Sequence, residues 1–371
     1  MPPRSGEELK GELESRQDSR LVRALEMVAP GTALREGIDN ILHARTGGLI
    51  VIGDADELAF LFSGGIKLDL DYSPALLYEL AKMDGAIILN SNATRIVYAN
   101  VQLMPDPTIP SAETGTRHRT AERVAKQTGA IAVSISQQRD VVTVYVGDSR
   151  YQLEEIPAVL AKTNQALTTL DTYRARLEQV STRLTALEFQ SAVMLDDVLT
   201  AMQRAEMTTR MVDEIERNVV ELGVEGRLIK IQLDEMTEWV PGDKRALIRD
   251  YEIYEVTGGV DKVLAHLASL PDSALLEFDE LAASLGYPRS VNPMDYAVAP
   301  RGYRVLSKIP RLPEHVVDQV VSHFNGLEAF VRASLEELEE VDGVGTVRAR
   351  EIREGLRRLQ EQNLVDRYLN L

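Results

Sequence analysis

The sequence predicts a multidomain protein in which a mixed α/β domain, an all-α spine and a helix-hairpin-helix domain follow one another. Three observations support this order. Strand-like and helix-like apolar runs alternate over residues 1–147, apolar residues then recur at the helical period, and a glycine-punctuated helical pattern occupies the C-terminus. We therefore expect a mixed sheet flanked by helices at 1–148, a helical linker or spine at 149–300, and tandem helix-hairpin-helix motifs at 301–371.

Composition excludes several classes of protein. The 371 residues suffice for two or three domains. A net charge of −17 argues against a protein that coats nucleic acid with its whole surface, and zero cysteines exclude disulfides and thiolate metal sites. The polar segment Met1–Arg20 lacks the apolar core of a signal peptide, and no apolar run approaches the roughly 18–20 residues that span a bilayer. We therefore expect a cytoplasmic protein with no membrane partner.

The N-terminal domain can be predicted element by element. Ser73-Pro74 is a helix N-cap followed by proline at the first helical position. Three prolines make residues 104–115 irregular, and a loop of that length in a compact domain is usually functional. A helix over Thr116–Gln127 ends at Gly129. The predicted strands are Leu49–Ile52, Ala86–Leu89, Ile96–Leu103 and a hairpin of Ala130–Ser136 with Val141–Val146 around Gln137-Gln138-Arg139-Asp140.

The middle of the chain has a different pattern. Apolar residues recur at steps of three and four, no glycine occurs between 148 and 222, and the only proline there is Pro157. This pattern predicts long helices. The recurring residues are Leu167, Leu170, Tyr173, Leu177, Val180, Leu184 and Leu187.

The strongest candidate site is the segment Gly115-Thr116-Arg117-His118-Arg119-Thr120. It places two guanidinium groups, an imidazole and two hydroxyls at a helix start, where free N–H groups and the helix dipole favour an anion. A polyphosphate suits this density of donors. The alternative is a solvated basic helix start whose arginines pair with Glu113 and Glu122.

A second short motif, Asp84-Gly85-Ala86, puts a carboxylate on a glycine turn at the start of a strand, where it could hold a metal. An Asp-Gly dipeptide is also a common turn, so the functional interpretation requires Asp84 to face the same cleft as the arginines. Both motifs flank strand ends, where ligand sites of α/β proteins cluster. Two other motifs are weaker: Asp69-Leu70-Asp71 favours an exposed strand edge over a metal site, and no Walker pattern follows Ser63-Gly64-Gly65.

The C-terminal pattern Leu338-x-x-Val341-x-Gly343-Val344-Gly345 is typical of a helix-hairpin-helix. Its glycines permit a tight turn and expose N–H groups at the next helix start, where a DNA phosphate can bind without base readout. Five arginines against two glutamates give residues 343–358 a local charge of +3. The alternative is a hairpin that only packs or contacts protein. Thirty-two residues earlier the apolar frame recurs with Arg311 and Pro313 in place of the glycines, which predicts a structural partner.

These motifs together, in this order along nearly the whole chain, resemble the DisA family of bacterial DNA integrity scanning proteins, which are diadenylate cyclases. The resemblance implies that two ATP molecules become cyclic di-AMP and two pyrophosphates. Each of two face-to-face domains would hold one ATP and one Mg²⁺ or Mn²⁺ ion. It also implies a homo-octamer, nucleoid association, and DNA binding to branched or junction structures that regulates synthesis.

The resemblance assigns roles to individual positions. Asp84 would be the catalytic and metal-binding residue. The nucleotide would contact Gly85, Leu103, Thr116, Arg117, His118, Arg119, Thr120 and Ser136. DNA would contact Gly343, Val344, Gly345, Thr346, Arg348 and Arg350. Two alternatives remain, a non-catalytic ATP-sensing DNA-binding scaffold and a nucleotidyltransferase with another acceptor.

Overall fold

The computed structural model describes residues 19–137 and 140–369. Residues 1–18, which include most of the segment examined for a signal peptide, and Gln138 and Arg139 of the predicted hairpin turn lie outside the described residues. The chain forms two compact units, one of Met1–Gln165 with Ile215–Ile231 and the other of Ala166–Glu214 with Gln232–Leu371.

The first unit contains every strand of the described chain that belongs to a sheet. Its helices are α1 (19–28), α2 (Ala33–His43), α3 (Ala55–Leu58), α4 (Pro74–Ala81) and α5 (Thr116–Thr128). Its strands are β1 (Gly48–Ile52), β2 (Phe62–Ser63), β3 (Ile66–Asp71), β4 (Ala86–Leu89), β5 (Arg95–Leu103), β6 (Ile131–Ile135), β7 (Val142–Val146) and β8 (Ser149–Gln152). The predicted helices and strands of this domain are all present, whereas α1, α2, α3, β2 and β8 were not predicted.

The eight strands form one mixed sheet with the order β2-β5-β4-β1-β6-β7-β8, and β3 also pairs with β5. Only β1 and β4 are parallel, and the remaining pairs are antiparallel. Strand β1 is buried on both faces. Its Ile50 and Ile52 pack with α2 and α4, while Leu49 and Val51 pack with α5. The alternation of side chains along a strand thus places one helical layer on each face of the sheet.

The second unit is helical. The two units share α6 (Ile156–Phe189), α7 (Leu195–Leu222) and α8 (Arg227–Thr237), whose parts outside residues 156–165 and 215–231 belong to the second unit. The second unit continues with α9 (Val240–Tyr251), α10 (Tyr254–Thr257), α11 (Val260–Ser269) and α12 (Phe278–Ser284). The C-terminal helices are α13 (Tyr303–Ser307), α14 (Glu314–Phe324), α15 (Leu327–Arg332), α16 (Leu335–Glu339) and α17 (Thr346–Leu369). Mixed sheet, helical spine and C-terminal hairpins confirm the predicted fold class.

A buried polar group joins α6 and α9 to the first C-terminal helix. Arg304 of α13 is 1% exposed, and its guanidinium donates to Glu188 Oε2 at 2.7 Å and to Ser181 Oγ at 2.8 Å. The carboxylate of Asp250 accepts hydrogen bonds from the N–H groups of Gly302, Tyr303 and Arg304. An anion at a helix start is therefore supplied here by the chain itself.

Candidate nucleotide site and DNA-binding hairpin

The two N-terminal motifs lie at the same edge of the sheet. Strands β1 and β4 are parallel and both begin at this edge, so Asp84 lies beside the start of β1. Arg117 of α5 reaches across to it, with Nη2 3.6 Å from Asp84 Oδ1. The Asp84 carboxylate is fully exposed, and one third of the Arg117 side chain is exposed. The carboxylate and the guanidinium therefore lie side by side at this edge, as the functional interpretation required.

Glycines flank this site on both sides. A Cβ on Gly47, just before β1, would lie 2.7 Å from Arg117 Nη1, so a larger residue there would displace the guanidinium from its present position. A Cβ on Gly85 would lie 2.4 Å from the backbone carbon of Asn100. Gly85 N–H also donates to Asn100 Oδ1 at 3.1 Å. The glycine of the Asp84 motif is thus required by close packing against β5, in addition to any contact with a nucleotide.

Asn100 is a residue that the sequence analysis missed. Its φ of +54° places it in the left-handed region, at the point where the register between β4 and β5 shifts. Such a shift marks a β-bulge, and asparagine tolerates this backbone conformation better than most residues do. An asparagine within an otherwise β-forming run was the only available signal. Leu103 ends the same strand at the cleft edge, where it pairs with Phe62 and is half-buried.

The start of α5 presents its polar residues in different directions. Gly115 is the N-cap, Thr116 is exposed, and Thr120 lies half-buried one turn later. The Arg119 guanidinium turns back to the preceding loop, where it donates to the carbonyls of Glu113 and Thr114 at 3.4 Å. Arg117 is therefore the arginine that meets Asp84, while Arg119 braces the loop.

His118 points to a polar group beneath the helix. Its Nδ1 lies 3.0 Å from the hydroxyl of Tyr145, which donates to Glu113 Oε1 at 2.9 Å. Arg150 of β8 donates to the same Glu113 oxygen at 2.6 Å. The alternative in which Glu113 and Glu122 pair with the arginines of the helix start is wrong, because Glu113 pairs with Arg150 and Glu122 pairs with Lys126. Sequence spacing gave no signal for Tyr145 or Arg150, because they lie on β7 and β8 and only the folding of the sheet brings them near the start of α5.

The loop over residues 104–115 is irregular, as predicted, and it is fixed along α5. Gln127 accepts from the N–H of Asp106, Arg123 donates to the carbonyl of Ile109, and Lys126 donates to the carbonyl of Pro110. Ser111 donates to Glu122. Helix and loop thus form one block that leads into the start of α5.

Ser136 directly follows β6 at this edge. It is half-buried, and its N–H donates to the carbonyl of Val141 at 2.9 Å. The hairpin therefore brings Ser136 to the same end of the sheet as Asp84, because β1 and β6 are antiparallel and Gly48 pairs with Ile135. By contrast, the two carboxylates of Asp69 and Asp71 lie on β3 and are both bound by Arg95, as expected for a strand edge rather than a metal site.

Asp84 fits a metal that is shared with a substrate. Among residues 19–137 and 140–369, no group of three or more histidine, aspartate or glutamate side chains is arranged to hold a metal by itself. Magnesium commonly uses one or two carboxylates and takes its remaining ligands from phosphates and water. A lone, fully exposed carboxylate beside a cationic helix start matches that mode.

The C-terminal motif forms the predicted hairpin between α16 and α17. Val341 and Val344 are buried, and Val344 N–H donates to the carbonyl of Val341. Gly343 has a φ of +77°, and a Cβ on either Gly343 or Gly345 would meet no atom within 4 Å. The turn therefore presents its backbone to solvent.

Around this turn the candidate DNA contacts are open. Thr346, Arg348 and Arg350 are exposed, and Arg348 Nη1 donates to the carbonyl of Gly343 at 2.7 Å. The first bond within α17 runs from Ala349 N–H to the carbonyl of Gly345. The N–H groups before Ala349 thus form the helix start that the hairpin exposes.

The earlier copy of the hairpin keeps the backbone and changes the chemistry. Arg311, thirty-two residues before Gly343, has a φ of +63° against +77° for the glycine. Pro313 then precedes α14 and carries no N–H to donate. The two hairpin turns therefore share a positive φ at equivalent positions, and they differ in the N–H donors that are available to a phosphate.

Two family models match the N-terminal domain and the helical spine. A family model described as the nucleotide-binding region of the DisA bacterial checkpoint controller matches residues 35–150, and one described as its linker region matches residues 153–294. In the described part of the chain, no helix is both long and apolar enough to cross a membrane.

Curated relatives match along almost the whole chain. The DNA integrity scanning protein DisA of Carboxydothermus hydrogenoformans is 51% identical and aligns with 93% of this chain and 98% of its own length. The protein of the same name from Acetivibrio thermocellus is 49% identical and aligns with 95% of this chain and 98% of its own length. The one from Clostridium perfringens is 50% identical and aligns with 95% of this chain and 99% of its own length. The chain therefore belongs to the DisA family of diadenylate cyclases.

Proposed function

We propose that this protein condenses two ATP molecules into cyclic di-AMP and two pyrophosphates, across an interface at which two N-terminal domains face each other. The observation that carries this proposal is the approach of Arg117 Nη2 to within 3.6 Å of Asp84 Oδ1 at one open sheet edge. A guanidinium and a carboxylate in one cleft provide, respectively, a ligand for phosphates and a ligand for their metal.

The reaction needs positioning and charge stabilisation more than covalent help from the protein. Each ribose 3′-oxygen bonds to the α-phosphorus of the other ATP, the bond from that phosphorus to the β-phosphate oxygen breaks, and the hydroxyl proton passes to solvent. Arg117 and the N–H groups of the α5 start bind the phosphates. Asp84 would hold Mg²⁺ or Mn²⁺, which would neutralise charge on the phosphates. Asp84 also helps to orient the 3′-hydroxyl for attack.

The exposure of the site supports a requirement for two copies. The Asp84 carboxylate is fully exposed at the sheet edge. A single domain with one nucleotide at this edge supplies only half of the ring that must close. We therefore propose a homo-oligomer, an octamer in the form that the family resemblance implies.

The C-terminal hairpin is proposed to bind DNA through its phosphates. An open turn with Gly343 and Gly345, followed by exposed Arg348 and Arg350, offers N–H groups and positive charge without a surface for reading bases. We propose that branched or junction DNA is the bound form, that binding lowers cyclase output, and that the protein acts on the nucleoid in the cytoplasm.

The decisive experiment is to identify the product. The full-length protein is incubated with ATP and either Mg²⁺ or Mn²⁺, and products are separated by chromatography and identified by mass. We expect cyclic di-AMP with two pyrophosphates per ring. Absence of a product would favour an ATP-sensing scaffold, and a linear adenylated product would favour another nucleotidyltransferase. Repeating the assay with a four-way junction and with linear duplex DNA tests the regulatory part.

A further inference from the structure

Four side chains form a continuous hydrogen-bonded row behind the start of α5. The row runs from Arg150 on β8 to Glu113 in the loop, to Tyr145 on β7 and to His118 on the helix, with successive distances of 2.6, 2.9 and 3.0 Å. Tyr145 is completely buried, and the Glu113 side chain is 16% exposed. The row therefore connects a residue of the candidate nucleotide site to groups from three other elements.

The charges of the row are fixed by their neighbours. Burial by itself raises the pKa of Glu113, but the hydrogen bonds from Arg150 and Tyr145 and the charge of Arg150 outweigh it and lower the pKa. Burial, together with the nearby carboxylate of Glu113, raises the pKa of Tyr145 far above its usual value. Glu113 is consequently an anion and Tyr145 a neutral phenol throughout the physiological range.

The single phenolic proton decides the direction of the row. Two oxygens that are 2.9 Å apart need a proton between them, and Glu113, held as an anion by Arg150, has none to give. Tyr145 must therefore donate to Glu113. Its oxygen then accepts from His118, which requires a proton on Nδ1. Nε2 can donate to a phosphate oxygen only when it carries a proton as well, so the ring binds phosphate as the imidazolium.

We propose that Glu113, Tyr145 and Arg150 are positioning residues that hold the His118 ring with Nδ1 as a donor and the opposite edge of the ring, with Nε2, directed to the nucleotide phosphates. This inference rests on the proposed function, because it takes the start of α5 as the phosphate site. The ring carbon next to Nε2 is the atom that a Cβ on Gly115 would approach, at 3.5 Å, so this edge faces the N-cap of the helix. None of the three positioning residues needs to touch the substrate.

A double-mutant cycle tests the proposal. Tyr145→Phe, His118→Ala and the double variant are compared with the wild type in the full-length protein, by kcat/KM for cyclic di-AMP synthesis. We expect Tyr145→Phe to lower kcat/KM by about 10- to 100-fold, the range for loss of a group that orients a ligand from behind. In the His118→Ala background the same change should have no further effect, since Tyr145 acts only through the imidazole. An equal loss in both backgrounds, or no loss in either, would overturn the proposal.

The same four proteins are titrated with 3′-deoxy-ATP and Mg²⁺, which binds without an attacking hydroxyl. If the wild type makes no cyclic di-AMP, the proposed function fails, and this affinity cycle still decides the inference. Coupling between positions 118 and 145 in affinity supports it, and additive effects or no nucleotide binding refute it.

Two variants guard against a purely structural explanation. Tyr151→Phe removes a hydroxyl from β8 that donates to Glu221 at 2.6 Å, so it makes the same chemical change outside the row and should leave kcat/KM unaltered. Glu113→Gln keeps an acceptor for Tyr145 but removes the charge, and it should give a smaller loss than Tyr145→Phe, again only when His118 is present. If Tyr145→Phe fails to fold, the Glu113→Gln cycle with His118→Ala takes its place.

Discussion

The starts of α5 and α17 carry similar sequences and are built in different ways. Each begins with glycine and threonine and has an arginine within the first three helical residues, Arg117 in one and Arg348 in the other. At α5, other elements fix the side chains: Asp84 meets Arg117, and Tyr145 meets His118. At α17, a Cβ on Gly345 would meet nothing, and Val347 is 71% exposed.

The difference matches the two kinds of phosphate ligand that we propose for these helix starts. A nucleotide has one shape and reacts at one phosphorus, so the groups that bind it must be held at fixed positions. A DNA backbone repeats the same charge along its length, and a protein that does not read bases needs only exposed N–H groups and exposed cations. Packing behind a helix start, more than the residues on it, therefore distinguishes a reaction site from a docking site.

The largest predicted effect is at Asp84. Asp84→Asn should lower kcat by at least about 100-fold, because it removes a charged metal ligand, while ATP binding remains measurable through Arg117 and the helix start. Asp71→Asn is the matched control, since Asp71 is also an exposed carboxylate held by a guanidinium, 2.7 Å from Arg95 Nη1. Synthesis at the wild-type rate by Asp84→Asn would remove Asp84 from the mechanism.

An intermediate effect is expected at the open hairpin. Gly345→Leu should weaken DNA binding about tenfold at low salt, because the side chain blocks approach of a phosphate to the exposed N–H groups. Its Cβ meets no protein atom, so the fold should be unaffected. Gly242→Leu in α9 is the control, as a Cβ there also meets nothing. Unchanged affinity of Gly345→Leu would move the DNA site away from this hairpin, and cyclase activity without DNA should stay the same in both.

The smallest effect is expected for one arginine of the hairpin. Arg348→Gln should lower DNA affinity a few-fold and reduce the slope of log K against log salt by about one, the value for one lost phosphate contact. Binding is measured between 50 and 200 mM salt by fluorescence anisotropy. A slope identical to that of the wild type would show that Arg348 serves only the hairpin turn, where it donates to Gly343.

Most of the fold followed from local patterns. The N-cap at Ser73, the stop at Gly129 and the apolar run of β1 are short-range features, and the structure confirms each of them. Strand β8 was missed because Ser149-Arg150-Tyr151-Gln152 is too short and polar to stand out, and pairing with β7 is what makes it a strand. Its inclusion matters, since β8 carries Arg150.

The candidate site was predictable only on its outer side. Motif spacing identified Asp84 and the α5 residues, and a turn at Gly343 followed from its glycines. Strand register brings Tyr145 to His118 and Glu113, and Arg150 to Glu113, and no spacing in one sequence encodes that register. The rule that α/β ligand sites lie at strand ends also supported the prediction, but it applies to the carboxyl ends of parallel strands, and that support was wrong because Asp84 lies where β1 and β4 begin.

The ties between α5 and the proline-containing loop before it affect how a nucleotide would be received. Side chains from Glu122 to Gln127 hold the loop backbone at three carbonyl or amide groups before any ligand arrives. A nucleotide that binds at this helix start therefore meets a loop that is already fixed, and the loop loses little conformational entropy on binding. Removing these hydrogen bonds should leave the direct contacts between protein and nucleotide in place and still shorten the lifetime of the complex.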